Sequence, residues 1–454
     1  MRKFLFFLLF ILMFVEIGFG INISEIGEVN SSNAETTGLF GNSASVSGDY
    51  AIVGAYAENA PLGESGRAYV FKRNVSDDSF YEVAVLNSSN PESSGFFGNS
   101  VSISGDYAIV GVSAEDAPLS ASGRAYVFKR NVSDDSFYEL DILNSSNPEA
   151  SGNFGKSVSI SGDYIVVGAL YEDAPLAASG RAYVFKRNIS DDSFYELDIL
   201  NSSNPEISGL FGYGVSISGD YVVVGAYAED APLSGSGRAY VFKRNATDDS
   251  FYEVAVLNSS NPEVSGNFGI SVSNSGDYVV VGAYYEDAPL GSSGRVYVFK
   301  RNVSDDSFYE VAVLNSSNPE SGGFFGRVVS ISGDYIVVGA NNEDAPLADS
   351  GRVYVFKRNV SDDSFYEVAV LNSSSPEVNG YFGASVGVSG NYIFVGAYNE
   401  NAPLGESGRA YIYKIIGDIV AIETSLSSIL PVFGFFSFIL FFVMLFFGFR
   451  KRKS

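Results

Sequence analysis

The stretch FGNSVSISGDYAIVG, Phe97 to Gly111, with SGRAYVFKR (Ser122 to Arg130) and FYELDIL (Phe137 to Leu143) after it, decides the fold. SVSIS, Ser100 to Ser104, alternates polar and apolar residues as a half-buried strand does. Gly105-Asp106 is a turn, in which Asp can bond its own backbone. YAIVG, Tyr107 to Gly111, is continuously apolar, as expected of a strand buried on both faces. The loop AEDAPLSASG precedes a third strand, RAYVFKR, and the turn NVSDDS leads to a fourth, FYELDIL. Asp141 replaces the Ala84 of the preceding copy, so that side of the fourth strand should tolerate a charge, with Leu140 and Ile142 facing the core. Only the two chain ends lack this strand pattern.

Working outward, the Phe-Gly pair recurs at Phe40, Phe97, Phe154, Phe211, Phe268, Phe325 and Phe382, always 57 residues apart. Four short strands repeated at a fixed period predict a propeller. One flat sheet of that size would leave long edges, and separate four-stranded sheets would each lack a covered second face. Radial blades remove both problems. The seventh unit stops after its third strand, RAYIYK (Arg409 to Lys414). Ile23 to Ser32 (ISEIGEVNSS) matches the fourth-strand sequence, Asn30 standing 57 residues before Asn87. The expected fold is all-β, a seven-bladed β-propeller over 21–415 whose N-terminal strand closes the last blade, plus one C-terminal transmembrane helix.

The ends read as targeting and anchoring segments. Residues 1–20, with Met1-Arg2-Lys3 before an apolar run and small residues near Gly20, have the pattern of a signal peptide. Residues 416–428 read as a linker, 429–449 as a transmembrane helix and 450–454 as a basic cytoplasmic tail. The expected topology is a single-pass cell-surface protein, N-terminus outside and C-terminus inside. A hydrophobic tail removed as a sorting signal is the alternative.

Composition excludes several function classes. The 454-residue chain has no Cys, His or Trp, so it has no disulfide, no thiolate metal site and no histidine base. A formal charge of −25 disfavours a nucleic-acid partner, which needs a basic footprint. No cofactor, metal site or catalytic residue is expected.

FGNSVSISGDYAIVG followed by SGRAYVF resembles the FG-GAP repeat, in its short-loop form, over Gly38 to Lys414 and the closing strand. The resemblance implies an extracellular propeller like those of integrin α-chain heads, used for binding or adhesion. Two departures matter. The residues between Gly41 and Gly54 hold one acid, Asp49, where the family's calcium loop would need several carboxylates. Gly54-Ala55 is followed by Tyr56 rather than Pro, and Asn391 replaces the usual turn Asp.

The candidate binding residues lie in the loops between second and third strands: Glu115-Asp116, Glu172-Asp173, Glu229-Asp230, Glu286-Asp287 and Glu343-Asp344, with Glu58-Asn59 and Glu400-Asn401 in the end blades. Together with Glu35, Glu92 and their equivalents they form an acidic rim for a cation or basic partner, unless each simply pairs with its blade's own arginine, Arg67 and its equivalents. Antiparallel strands place this rim opposite the chain exit. Sequons occur in two turns per unit, at Asn74, Asn131, Asn188, Asn245, Asn302 and Asn359, and at Asn87, Asn144, Asn201, Asn258, Asn315 and Asn372. The expected function is a non-enzymatic surface binding or adhesion protein for an extracellular protein or glycan. A protective coat glycoprotein and, more weakly, a polysaccharide-active enzyme are the alternatives. A ligand site should break the seven-fold sameness, and Val112-Ser113, Asn341-Asn342 and Asn391 are the deviations in view.

Overall fold

The computed structural model describes residues 18–421, and no helix occurs among them. Seven four-stranded antiparallel sheets follow one another along the chain. In blade two the strands are Ser100–Ser104, Tyr107–Val112, Arg124–Arg130 and Phe137–Leu143, paired in that order. Ser104 pairs with Tyr107, leaving a two-residue turn whose first position, Gly105, sits at φ 57°, where a II′ hairpin needs glycine. The first strands of neighbouring blades touch all the way round, so they line the axis.

The last sheet settles closure. Its order runs Gly18–Val29, Arg409–Ala421, Tyr392–Ala397, Ser385–Ser389, so the N-terminal strand completes blade seven. Residues Ile23–Ile415 form one compact unit, and 18–22 with 416–421 belong to a second. The expected linker therefore begins as strand over 416–421, and 18–20 of the expected leader are strand as well. The rest of the leader, the remaining linker, the span 429–449 and the tail 450–454 lie outside the described residues, among which no helix is long and apolar enough to cross a membrane.

The core lies between blades rather than within them. One cluster joins Ile52, Val70 and Leu86 of blade one to Phe97, Val110, Tyr126 and Phe128 of blade two. The cluster across the closure joins Val29 and Ile412 to Phe40, Val53 and Tyr69. Both faces of every sheet are thus covered, which corrects the reading of the fourth strand. A bulge between Val127 and Phe128 leaves Leu140 as the extra residue. Leu140 then faces blade three and Ile142 faces blade one. Asp141 is not on an open side: its Oδ2 accepts the Phe194 amide of blade three at 2.8 Å.

On the rim formed by the two-residue turns and the loops after third strands, an aspartate fastens each of blades one to six to the blade before it. Asp135 accepts from Lys72 (2.5 Å) and Tyr50 (2.6 Å) of blade one and from Arg130 (2.8 Å) of its own blade. The Arg130 guanidinium also lies 4.8 Å from the Tyr50 ring centre. Asp78 makes the same contacts with Tyr392 and Lys414 across the closure. These cations hold the Asp135 and Asp78 carboxyls down at about 2. The turn residue Asp106 accepts from Arg130 Nε at 2.9 Å, a bond the expectation of purely local turn chemistry missed.

Candidate ligand-binding site at the axial mouth

The loops after second strands and those before first strands share the other rim, and here the paired acids separate into two environments. Glu115, Glu172, Glu229, Glu286 and Glu343 are fully buried, as are Glu58 and Glu400. Their neighbours Asp116, Asp173, Asp230, Asp287 and Asp344 are exposed. Blade two shows the arrangement. Glu115 accepts from Tyr126 OH (2.6 Å), Ser88 Oγ (2.6 Å) and Arg124 Nη1 (3.1 Å). Arg124 Nη2 donates to the Asp116 carbonyl (2.7 Å), the Asp116 amide to Glu92 (2.8 Å), and the Asp116 carboxylate accepts the Ala121 amide (2.8 Å). Each blade's arginine thus gathers the acids around it into a staple, and the glutamates present no oxygen to a partner. The sequon asparagines divide too: Asn87 and its equivalents are exposed, whereas Asn74, Asn131, Asn188, Asn245, Asn302 and Asn359 are half-buried on the opposite rim.

Burial pushes the seven glutamates up, against the pull of Tyr, Ser and Arg, and in Glu400 the result is about 7. In Glu58, Glu172, Glu229, Glu286 and Glu343 the second carboxylate oxygen has no hydrogen-bond partner. Burial and the adjacent Glu115 likewise push Tyr126 up to about 12. A raised carboxyl binds its proton more tightly folded than unfolded. Its contribution to stability is full below the unfolded value near 4.5 and is lost as pH rises through the folded one, up to about 7 for Glu400. The depressed aspartates act oppositely, losing theirs as pH falls from about 4 towards 2. Thermal melts should therefore peak between about pH 4 and 5 and decline towards neutrality. Glu400→Gln should reduce the slope between pH 5 and 7; an unchanged slope would place Glu400 outside the titration.

Seven-fold sameness fails most at the axis. The residue after Phe-Gly stands at the entry to each first strand, and it runs Asn42, Asn99, Lys156, Tyr213, Ile270, Arg327, Ala384. No other position in the repeat passes through such a range of chemistry. The residue after Gly-Ala lies on the same rim and contributes Tyr56, Tyr227, Tyr284 and Tyr398, with Ser113, Leu170 and Asn341 in the other blades. Rings from these positions and from the residue before Phe-Gly meet: Tyr213 and Tyr227 at 4.7 Å, Tyr284 and Phe324 at 5.3 Å, Tyr381 and Tyr398 at 5.5 Å.

A cavity of about 340 Å³ opens within this collar, lined by Lys156, Tyr213, Ile270, Tyr284, Arg327 and Ala384 among others. It is within the size range of small-molecule sites. Five blades carry a serine after the variable residue, as Ser100 does, bonding a carbonyl of the next blade (Ser100 Oγ to Gly155 O, 2.9 Å). Gly214 and Val328 replace it beside the cavity. Lys156 lies 5.9 Å from the Tyr213 ring centre. Burial pushes its ammonium down, and the Arg327 charge adds to that. Arg327 also acts on Tyr213, Tyr284 and Tyr398. Among the described residues neither cation has an ion pair, unlike the repeat's own Lys72, Arg124 and Arg130. Asn341 is fully buried nearby, with both amide atoms unpartnered.

Of the expected breaks in seven-fold sameness, Ser113 and Asn341 lie on this rim, whereas Lys156, Tyr213 and Arg327 were not among those expected. Superposing the seven copies at the residue after Phe-Gly would have found them. Asn391 lies on the other rim, where its carbonyl accepts the Ile415 amide at 2.8 Å.

The FG-GAP repeat profile matches residues 24–71, 80–128, 139–185, 200–242, 251–299, 308–356 and 365–413. The chain belongs to the FG-GAP repeat family. Each matched segment starts in one blade's fourth strand and ends in the next blade's third, the same one-strand offset that the N-terminal closure makes. No curated protein sequence matches this FG-GAP chain significantly. Among solved structures, a Lactobacillus plantarum protein is similar at 12% identity and TM-score 0.51, over 77% of this chain and 88% of that one. A putative 6-phosphogluconolactonase from Bacteroides uniformis is similar at 12% identity and TM-score 0.50, over 82% and 96%. The likeness is one of fold. It nonetheless overturns the expectation of a non-enzymatic protein, because this architecture is shared with a protein named as an enzyme.

Proposed function

We propose that this FG-GAP protein is a cell-surface binding protein, anchored through its C-terminal segment, that takes its ligand at the axial mouth. One observation carries the reading: the repeat changes its chemistry most where seven first strands converge on a cavity. Identity elsewhere maintains blade contacts, and the mouth is where copies of one unit have become different. Adhesion to an extracellular protein or glycan is compatible with a mouth on the rim opposite the chain exit. The exposed aspartates Asp116, Asp173, Asp230, Asp287 and Asp344 form the surround that a larger partner would meet.

Full-length protein in nanodiscs, screened on glycan and protein arrays, should give saturable binding. A variant carrying asparagine at 156, 213, 270 and 327, the residue blades one and two already have there, should lose it. Binding that survives this change would move the site away from the mouth. Absence of any saturable ligand would leave the protective-coat reading. Mass spectrometry of the bound ligand, finding it altered, would make the mouth a reaction site.

A further inference from the structure

Resting on that reading of the mouth, we propose that the axial cavity binds a small acidic sugar, its carboxylate held by Lys156 and Arg327 and its ring lying against Tyr213 and Tyr284. The protein is strongly acidic, with a formal charge of −25, and its repeated cations are matched to aspartates and glutamates. Two cations without an ion pair lining one cavity, the Arg327 charge felt at Lys156, are therefore exceptional. Two like charges beside a cavity destabilise each other, and an anion between them relieves that repulsion as well as pairing with both. Arg327 is exposed within the mouth and offers a planar fork suited to a carboxylate, while Lys156 supplies a half-buried point charge.

The rest of the lining fits the body of a sugar. Tyr213 and Tyr284 present apolar ring faces with hydroxyl tips, and serine hydroxyls and strand-end backbone supply further polar contacts. A volume of about 340 Å³ accommodates one or two sugar rings, not a folded domain. No carboxylate figures among the groups perturbing Lys156, so a cationic ligand would meet two like charges.

Isothermal titration of the full-length protein with D-glucuronate, D-glucose and inorganic phosphate tests this. Glucuronate should bind at least about tenfold more tightly than glucose, weaken with added salt, and raise the melting temperature. Lys156→Asn and Arg327→Asn, residues that other blades tolerate at the same position, should each weaken glucuronate about tenfold or more while melting within a few degrees of the parent. Equal binding of glucuronate and glucose, or glucuronate binding unaffected by both variants, would overturn the proposal. Phosphate binding without glucuronate binding would overturn its sugar component. The mouth reading fails separately: an array ligand retained by the four-asparagine variant would remove the site from the mouth, whereas a neutral ligand lost in that variant would keep the mouth and reject the acidic sugar.

Discussion

Deleting residues 21–32 should cost several kcal/mol of stability and drive aggregation, because those residues supply the fourth strand of blade seven. The strand contributes Val29, which is buried, and Ile26 to the cluster spanning the closure. Its polar side chains bond in both directions. Glu28 pairs with Arg409 (2.7 Å) and Glu25 accepts from Ser374 (2.9 Å), while Ser31 donates to Tyr69 (2.8 Å) and Ser32 to Glu82 (2.9 Å) in blade one. Removal leaves the strand Arg409–Ala421 as an unpaired edge carrying the apolar Ala410 and Ile412. Each lost ladder bond removes on the order of 1 kcal/mol, and the bare edge invites pairing with another chain. The full-length chain lacking 21–32 should melt about 10 °C or more below the parent. A synthetic 21–32 peptide added in trans should recover part of the difference. Melting within a degree or two of the parent would contradict closure by this strand.

How much of this was legible follows from what a repeat can encode. Strand bounds in blade two were readable to within a residue because alternation, turn residues and the Phe-Gly phase agree in every copy. Closure was readable because Asn30 keeps the 57-residue phase. The buried state of Glu115 was not. A Glu-Asp pair in a polar loop looks exposed, and only the fold brings Tyr126 and Ser88, eleven residues after and twenty-seven before, under the same carboxylate. The alternation rule misplaced Asp141 for a related reason, since it assumes one open face and a bulge-free strand. Lys156 and Arg327 were visible as letters, but that they face one cavity depends on first strands meeting at the axis, which no single copy records.

Gly225→Ala should be among the most damaging single substitutions, and Gly219→Ala a mild one, although both glycines lie in blade four. Gly219 sits in the two-residue turn at φ 57°, with open space where a Cβ would go. Alanine there meets only the cost of a left-handed backbone, roughly 1–2 kcal/mol. Gly225 is the glycine of the Gly-Ala pair, and its backbone is not left-handed. A Cβ on it would stand 1.9 Å from the Gly269 carbonyl oxygen and 2.9 Å from its carbon. Gly269 belongs to the Phe-Gly pair of blade five, and Phe268 beside it is fully buried against Tyr297 at 5.4 Å. The obstructing atoms are backbone, so no rotamer change can make room; blades four and five must move apart along a shared core that includes Val223, Val241 and Val281. In a closed ring that displacement reaches the other interfaces too. The loss should exceed the roughly 1–3 kcal/mol of ordinary overpacking, and so exceed that of Gly219→Ala. Chemical denaturation of the two variants beside the parent measures both. Equal losses would mean that the close approach between blades is not what requires glycine at Gly225.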